Sequence, residues 1–304
     1  MIHLHNGDVV TAIAKRSDIP GDHVSYRESL ISGPVVPGDD WIETRAQALA
    51  RHYGEDLLRI RTELLEQEQF LDGARERGEE IVLWFEHDLY CLVHLVHLLQ
   101  RFADARVSVV WCPEPLGNND ERGLHLLFES RAAATPSMLA LAREAWSAYT
   151  SPDPAVLNTW LARDTPDFPF LREGLTLHAS RFPSMRNGLG SIEQQALELI
   201  AGGTTDWVSL FDQLNARAPR FGFGDTEVFA SLRALANCAV PLVQITGEIP
   251  KAIVTITPAG ENVLRGEVDD LRVNDPDRWL GGVHLTKENV WRWDGARLSR
   301  SPAS

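Results

Sequence analysis

Glu86, His87 and Asp88 stand side by side in this chain, directly after the unbroken apolar run Ile-Val-Leu-Trp-Phe of residues 81–85. Two carboxylates and an imidazole are side chains suited to general acid–base work, and a histidine between acids is drawn toward its charged form. A short apolar run rich in β-branched and aromatic residues reads as a strand buried on both faces, as in the centre of a parallel sheet. Leu89, Leu92, Val93 and Val96 then recur at helical spacing. The three ionisable residues therefore fall where a strand hands over to a helix. In open α/β sheets that edge is where ligands bind. Glu86, His87 and Asp88 are the candidate catalytic residues.

Other polar residues follow other expected strands. Asn6, Gly7 and Asp8 come after a strand at 2–5, Arg27 and Glu28 after one at 23–26, and Pro113 and Glu114 after one at 107–111. Parallel strands end on one edge, so these residues should converge. Asn6, Gly7, Asp8, Arg27 and Glu28 are the candidate ligand-binding set. An arginine beside carboxylates and a histidine can orient a small polar or phosphorylated molecule. The plainer structural alternative is that Asp8 and Asp88 cap helices and Arg27 pairs with a carboxylate. The Asn-Gly-Asp turn carries one glycine where the dinucleotide fingerprint needs three, so no cofactor is named.

A metal site is not expected. His94 and His97 lie at least one helical turn beyond His87, and neither HExxH nor a related spacing occurs. They read as core histidines, although strand alternation places His3 and His5 on one sheet face near the same edge. Cys112 ends a strand, but a proline follows and no neighbour is an obvious base, so it reads as structural. Ser29 lacks the GxSxG elbow. The residue pattern specifies no reaction and leaves open an enzyme (a hydrolase or transferase), a regulatory protein that contacts DNA or protein through its C-terminal part, and a non-catalytic scaffold.

Strands alternating with helical stretches imply βαβ units. Residues 41–76 read as two helices broken near Tyr53-Gly54, with Leu57, Ile60, Leu64 and Leu71 on the apolar face. The chain reads as α/β, with a parallel Rossmann-like N-terminal sheet (1–130), a helical connector (131–188) and a winged-helix-like domain (189–304). The last follows from three helices and a β-hairpin, after the linker 186–190 and a capping-box pattern, Ser191-Ile-Glu-Gln194. Its expected groove-reading helix, residues 226–237, has Arg233 as its one basic residue. Such helices present several donors to bases and phosphates, so protein or interdomain packing is favoured over DNA. The tail, with Trp279, His284, Trp291 and Trp293, reads as a closing hairpin.

The 304 residues carry a formal net charge of -14, which argues against a general polyanion binder. Three dispersed cysteines, Cys91, Cys112 and Cys238, form no CxxC pair and fit a reducing cytoplasm. The N-terminus lacks the pattern of a signal peptide, and no apolar run approaches the length of a membrane helix. The chain resembles the bacterial proteins catalogued as domain of unknown function 1835. The resemblance rests on Ile2-His-Leu-His-Asn-Gly-Asp8, on Ser32-Gly-Pro34, and above all on Leu83-Trp-Phe-Glu-His-Asp-Leu-Tyr90. It covers roughly the first 110 to 130 residues, with a further likeness at Asp277-Arg-Trp-Leu-Gly-Gly-Val-His284, and it implies no activity. Tyr26-Arg27-Glu28 stands where that family's pattern is closer to Trp-Arg-Asp, and Cys91-Leu92-Val93 where it is more polar.

Overall fold

Four segments become parallel strands in the computed structural model, which describes residues 1–300. These are β1 (Ile2–His5), β2 (Asp22–Ser25), β3 (Glu80–Glu86) and β4 (Arg106–Cys112). The sheet order is β2-β1-β3-β4, with β5 (Ala132–Ala133) added antiparallel at the far edge. Leu4 stands opposite Val24 on one side and Leu83 on the other. The order reverses between β1 and β3, because the chain steps outward to β2 and then returns to the other side of β1.

α1 (Asp8–Ala14) makes the first crossover, and α2 (Trp41–Tyr53) with α3 (Leu57–Glu76) makes the second. Gly54, at φ 70°, closes α2 in the left-handed conformation that glycine adopts without penalty. α4 (Leu89–Arg101) and α5 (Glu121–Glu129) complete the helices that cover the sheet, and α6 (Pro136–Tyr149) packs on α4. Residues 81–85 are fully buried. Val82 and Trp84 pack with Val10, Leu124 and Phe128 on one face. Phe85 lies parallel to the His94 ring of α4, with centroids 6.5 Å apart. The alternation follows from the two-residue period of a strand. Each such side chain contributes about 1.5–3 kcal/mol of burial.

Two expected caps do not form. Gly7, not Asp8, holds the N-cap of α1, and the Asp8 carboxylate accepts the Ser25 hydroxyl at 2.5 Å instead. Gly190 precedes α9 (Ser191–Ala201), and the Ser191 hydroxyl pairs with Ser180 Oγ at 2.9 Å. The short α5 and β5 were not anticipated.

Two units divide the chain: Met1–Thr150 with Asp164–Gly174, and Ser151–Arg163 with Leu175 onward. Residues 131–188, expected as a connector, are thus shared between them. α7 (Ala155–Leu161) belongs to the second unit, where Asn158 exchanges hydrogen bonds with the backbone of Leu298. α8 (Leu171–Ala179) begins in the first unit and ends in the second. The second unit continues with α9, α10 (Trp207–Arg217) and α11 (Asp225–Ala236). Next come the antiparallel pair β6 (Val243–Thr246) and β7 (Ile253–Ile256), then α12 (Pro258–Arg265). Two hairpins close the chain: β8 (Arg278–Leu280) with β9 (Val283–Leu285), and β10 (Trp291–Trp293) with β11 (Leu298–Arg300). Among the described residues no helix is long and apolar enough to cross a membrane.

Candidate functional site

Glu86 and Asn6 meet where the strand order reverses. Asn6 Nδ2 donates to Glu86 Oε1 at 3.0 Å, and the backbone N–H of Leu116 donates to the same oxygen at 2.8 Å. Asn6 Nδ2 also reaches Cys91 Sγ at 3.3 Å. Asp88 is extended and caps α4, its carboxylate accepting the Cys91 N–H at 2.7 Å. His87 donates its backbone N–H to Cys112 O at 2.8 Å. Its ring lies 4.4 Å from that of Trp111 and 5.6 Å from that of Phe170. Successive side chains in an extended segment point to opposite sides, so His87 turns away from Glu86 and Asp88, which share one side.

A cavity of about 230 Å³ opens beside this junction. All five candidate ligand-binding residues, Asn6, Gly7, Asp8, Arg27 and Glu28, line it. Ser25, Tyr26 and Tyr90 join them, while α2 and α3 supply Leu49, Tyr53, Ile60, Glu63 and Leu64. Glu86, His87 and Asp88 are not among the lining residues; Glu86 reaches the cavity wall through Asn6. The contribution of α2 and α3 was missed because the sequence marks Ile60 and Leu64 only as the apolar face of a helix pair, and Leu49 not at all. They do form that core, together with Ala46 and Ala50.

Arg27 is placed by its backbone, whose N–H donates to Gln67 Oε1 at 2.8 Å. Its guanidinium is 62% exposed and stands 3.9 Å from Asp8 and 3.8 Å from Glu63. Glu28 behaves differently. Its carboxylate is 2.6 Å from the guanidinium of Arg45, which is wholly buried. Arg45 also donates to the carbonyls of Ser29, Ser32 and Pro34. The Glu28 charge is therefore committed to holding the loop that follows β2. His94 supports the same loop: its Nδ1 lies 2.6 Å from Tyr90 O, and the Leu30 N–H approaches its Nε2 at 3.3 Å.

Three further histidines form a buried stack on β1 and β2. His3 and His23 lie 4.3 Å apart and His5 and His23 5.2 Å apart, on the face shared with Trp84. The groups at the ends set the protons. Trp84 Nε1 donates to His3 Nδ1 at 3.1 Å, so His3 donates from Nε2 to Pro20 O at 3.0 Å. His23 Nε2 faces Ile19 O at 3.2 Å and must donate, so its Nδ1 accepts from His5 Nε2 at 3.0 Å. His5 Nδ1 is left as a buried acceptor with no hydrogen-bond partner among the described residues. Burial first, and then the neighbouring His23, lowers His3 to about 4 and His5 to about 2. Burial lowers His23 too. The stack is neutral and ties β2 to β1.

One donor set has the types a metal ion accepts: ligand atoms of Glu86, Asp88 and Cys91 lie within 4.8 Å of one another. Glu86 Oε1 and Asp88 Oδ1 already receive backbone or amide N–H groups. Burial, reinforced by Asp88 and Glu86, pushes the Cys91 thiol well above its ordinary value. Cys112 is raised to about 11, by burial first and Glu86 next, and its thiol donates to Glu114 O at 3.2 Å. Neither sulfur has the lowered value of an activated nucleophile.

In the second unit, the Arg233 guanidinium lies 5.6 Å from the centroid of the Phe229 ring on its own helix. Trp279 stacks on His284 at 4.5 Å, and His284 Nε2 is 2.8 Å from Asp277. No family model, curated protein or solved structure matches the chain.

Proposed function

We propose that the first unit binds a small polar or phosphorylated molecule in the cavity beside Asn6 and Glu86. The observation that carries this reading is that Asn6, Gly7, Asp8, Arg27 and Glu28, from the ends of two separate strands, line one concave space. The sheet order, reversing between β1 and β3, supports a Rossmann-like reading, in which ligands sit at the carboxyl ends of the strands near the reversal. Arg27 is the one cation among the lining residues and faces two carboxylates, which weighs toward a polar ligand over a phosphate. Glu86 acts as a positioning residue for Asn6, and Asp88 as a cap. The reading names no reaction, and the likeness to the 1835 family stays with it. A thermal-shift screen of a metabolite panel on the parent protein and on Arg27→Met tests it: hits should require Arg27.

A second reading concerns the other unit. Three helices, a β-hairpin and a bridge from Asp206 to Ile253 support a winged-helix-like arrangement. Arg233, the one basic residue of α11, lies over Phe229, and Asp225 and Glu227 stand in the helix's first turn. Such a surface suits a protein partner better than duplex DNA. A duplex-DNA titration across salt concentrations distinguishes them.

A further inference from the structure

We infer that the cavity takes a small zwitterion, an α-amino acid with an apolar side chain; this rests on the reading of the cavity as a ligand site. Arg27 Nη2 lies 3.9 Å from Asp8 Oδ1, and Arg27 Nη1 lies 3.8 Å from Glu63 Oε2. Both separations exceed the 2.7–3.2 Å of a hydrogen bond. The guanidinium thus stands between two carboxylates as a charge, with its planar fork still available for two parallel bonds to an incoming carboxylate. When a ligand carboxylate takes that fork, an ammonium group answers the charge on Asp8, whose Oδ1 also accepts the Ser25 hydroxyl, and on Glu63, whose Oε1 also accepts from Arg59 at 3.2 Å. A simple anion would meet two carboxylates beside one guanidinium, and a simple cation would meet the guanidinium. A molecule carrying both charges a few atoms apart avoids both repulsions.

The rest of the wall fixes the third substituent. Leu49, Ile60 and Leu64 line the space from α2 and α3, with Tyr53 beside them. They offer an apolar surface to an aliphatic or aromatic side chain. The volume of about 230 Å³ is below the roughly 300–1,000 Å³ of drug-sized pockets, which suits a single amino acid rather than a nucleotide.

Isothermal titration of the full chain with L-leucine, 4-methylpentanoate and 3-methylbutylamine tests the inference, because the last two lack the ammonium and the carboxylate respectively. Leucine should bind, and each half-charged analogue should bind at least about tenfold more weakly. Arg27→Met should weaken leucine about tenfold and tighten the amine, whose repulsion by the guanidinium it removes. Asp8→Asn should weaken leucine and the amine and tighten the acid, whose repulsion by the carboxylate it removes. Both side chains are largely exposed, 62% and 76%, so folding is retained and is checked by melting temperature. Equal binding of leucine and the amine overturns the inference. So does failure of leucine, methionine and phenylalanine at millimolar concentration while AMP or glucose 6-phosphate binds in an Arg27-dependent way, a result that leaves the site itself standing. If no compound of either kind binds, both readings fall.

Discussion

Asn6 and Glu86, eighty positions apart in sequence, share a 3.0 Å hydrogen bond at the point where the strand order turns back on itself. The bond joins the end of β1 to the end of β3, and the Leu116 N–H adds a third segment through the same oxygen. Removing the acceptor strands two donors. Glu86→Ala should lower stability by about 1–3 kcal/mol, the cost of a buried unsatisfied polar group. Asn6→Ala and Glu86→Ala together should cost less than the sum of the two, with a coupling of about 0.5–3 kcal/mol. Urea unfolding of the cycle measures it; strict additivity would show that the pair is not coupled.

The histidine stack makes stability depend on pH. The sign follows from which state holds more protons. His3 and His5 titrate near 4 and near 2 in the folded chain but near 6.5 when unfolded. Between these values the unfolded chain binds more protons, so stability falls as pH drops below about 6.5 and His3's share is fully lost near pH 4. His97, lowered to about 3 by burial and then by Arg101, acts in the same direction. Glu68 and Asp270, raised by burial, act oppositely. The net expectation is a loss of a few kcal/mol, in order of magnitude, between pH 7 and pH 5. Denaturant midpoints at pH 7.5, 6 and 5 should decline, and His5→Leu should flatten the decline; a level profile in the parent protein would contradict the neutral state of the stack.

Glu28 and Arg45 form a buried pair, and breaking one side leaves the other charge unpaired. Arg45→Met should cost about 3–5 kcal/mol. The replacement also removes the donors that hold the Ser29, Ser32 and Pro34 carbonyls. Circular-dichroism melts give the value. A loss under about 1 kcal/mol would mean that the loop is held instead by contacts such as the Tyr90 and Tyr149 hydroxyls, which donate to Glu28 O and Leu30 O at 2.8 Å each.

Much of this architecture was legible as pattern. Residues 81–85 are apolar without interruption because β3 is covered on both faces, and Gly54 breaks the helix pair because α2 ends in a left-handed turn. The convergence of Asn6, Asp8 and Arg27 was legible from topology, since parallel strands end on one edge. Side-chain direction was not. His87 leaves toward Trp111 and Phe170, and Glu28 turns to Arg45, because such choices depend on partners distant in sequence. The part of the cavity wall supplied by Ile60 and Leu64 was hidden because a helix's inward face looks alike whether it meets a core or a ligand, and Glu63 because its charge reads as a solvent-facing residue. Asp8 lost its expected cap role to Ser25, a neighbour that β2 brings alongside only after folding.

For the second unit, the acidic balance of the chain and the single arginine of α11 predict no tight complex with duplex DNA. Fluorescence anisotropy at low and high salt should show no sub-micromolar, steeply salt-dependent binding. A slope corresponding to several phosphate contacts would overturn the preference for a protein partner.

The claim on which the account turns is that the space between Asn6, Asp8 and Arg27 holds a small molecule. Amide chemical-shift mapping of the isotope-labelled protein against a panel of amino acids, nucleotides and sugar phosphates addresses it directly. A binding compound should shift the amides of Asn6, Gly7, Asp8 and Arg27 together, and Arg27→Met should require about tenfold more of it for the same shifts while leaving the rest of the spectrum in place. A panel that moves none of these amides, or a ligand whose shifts map elsewhere, would contradict it.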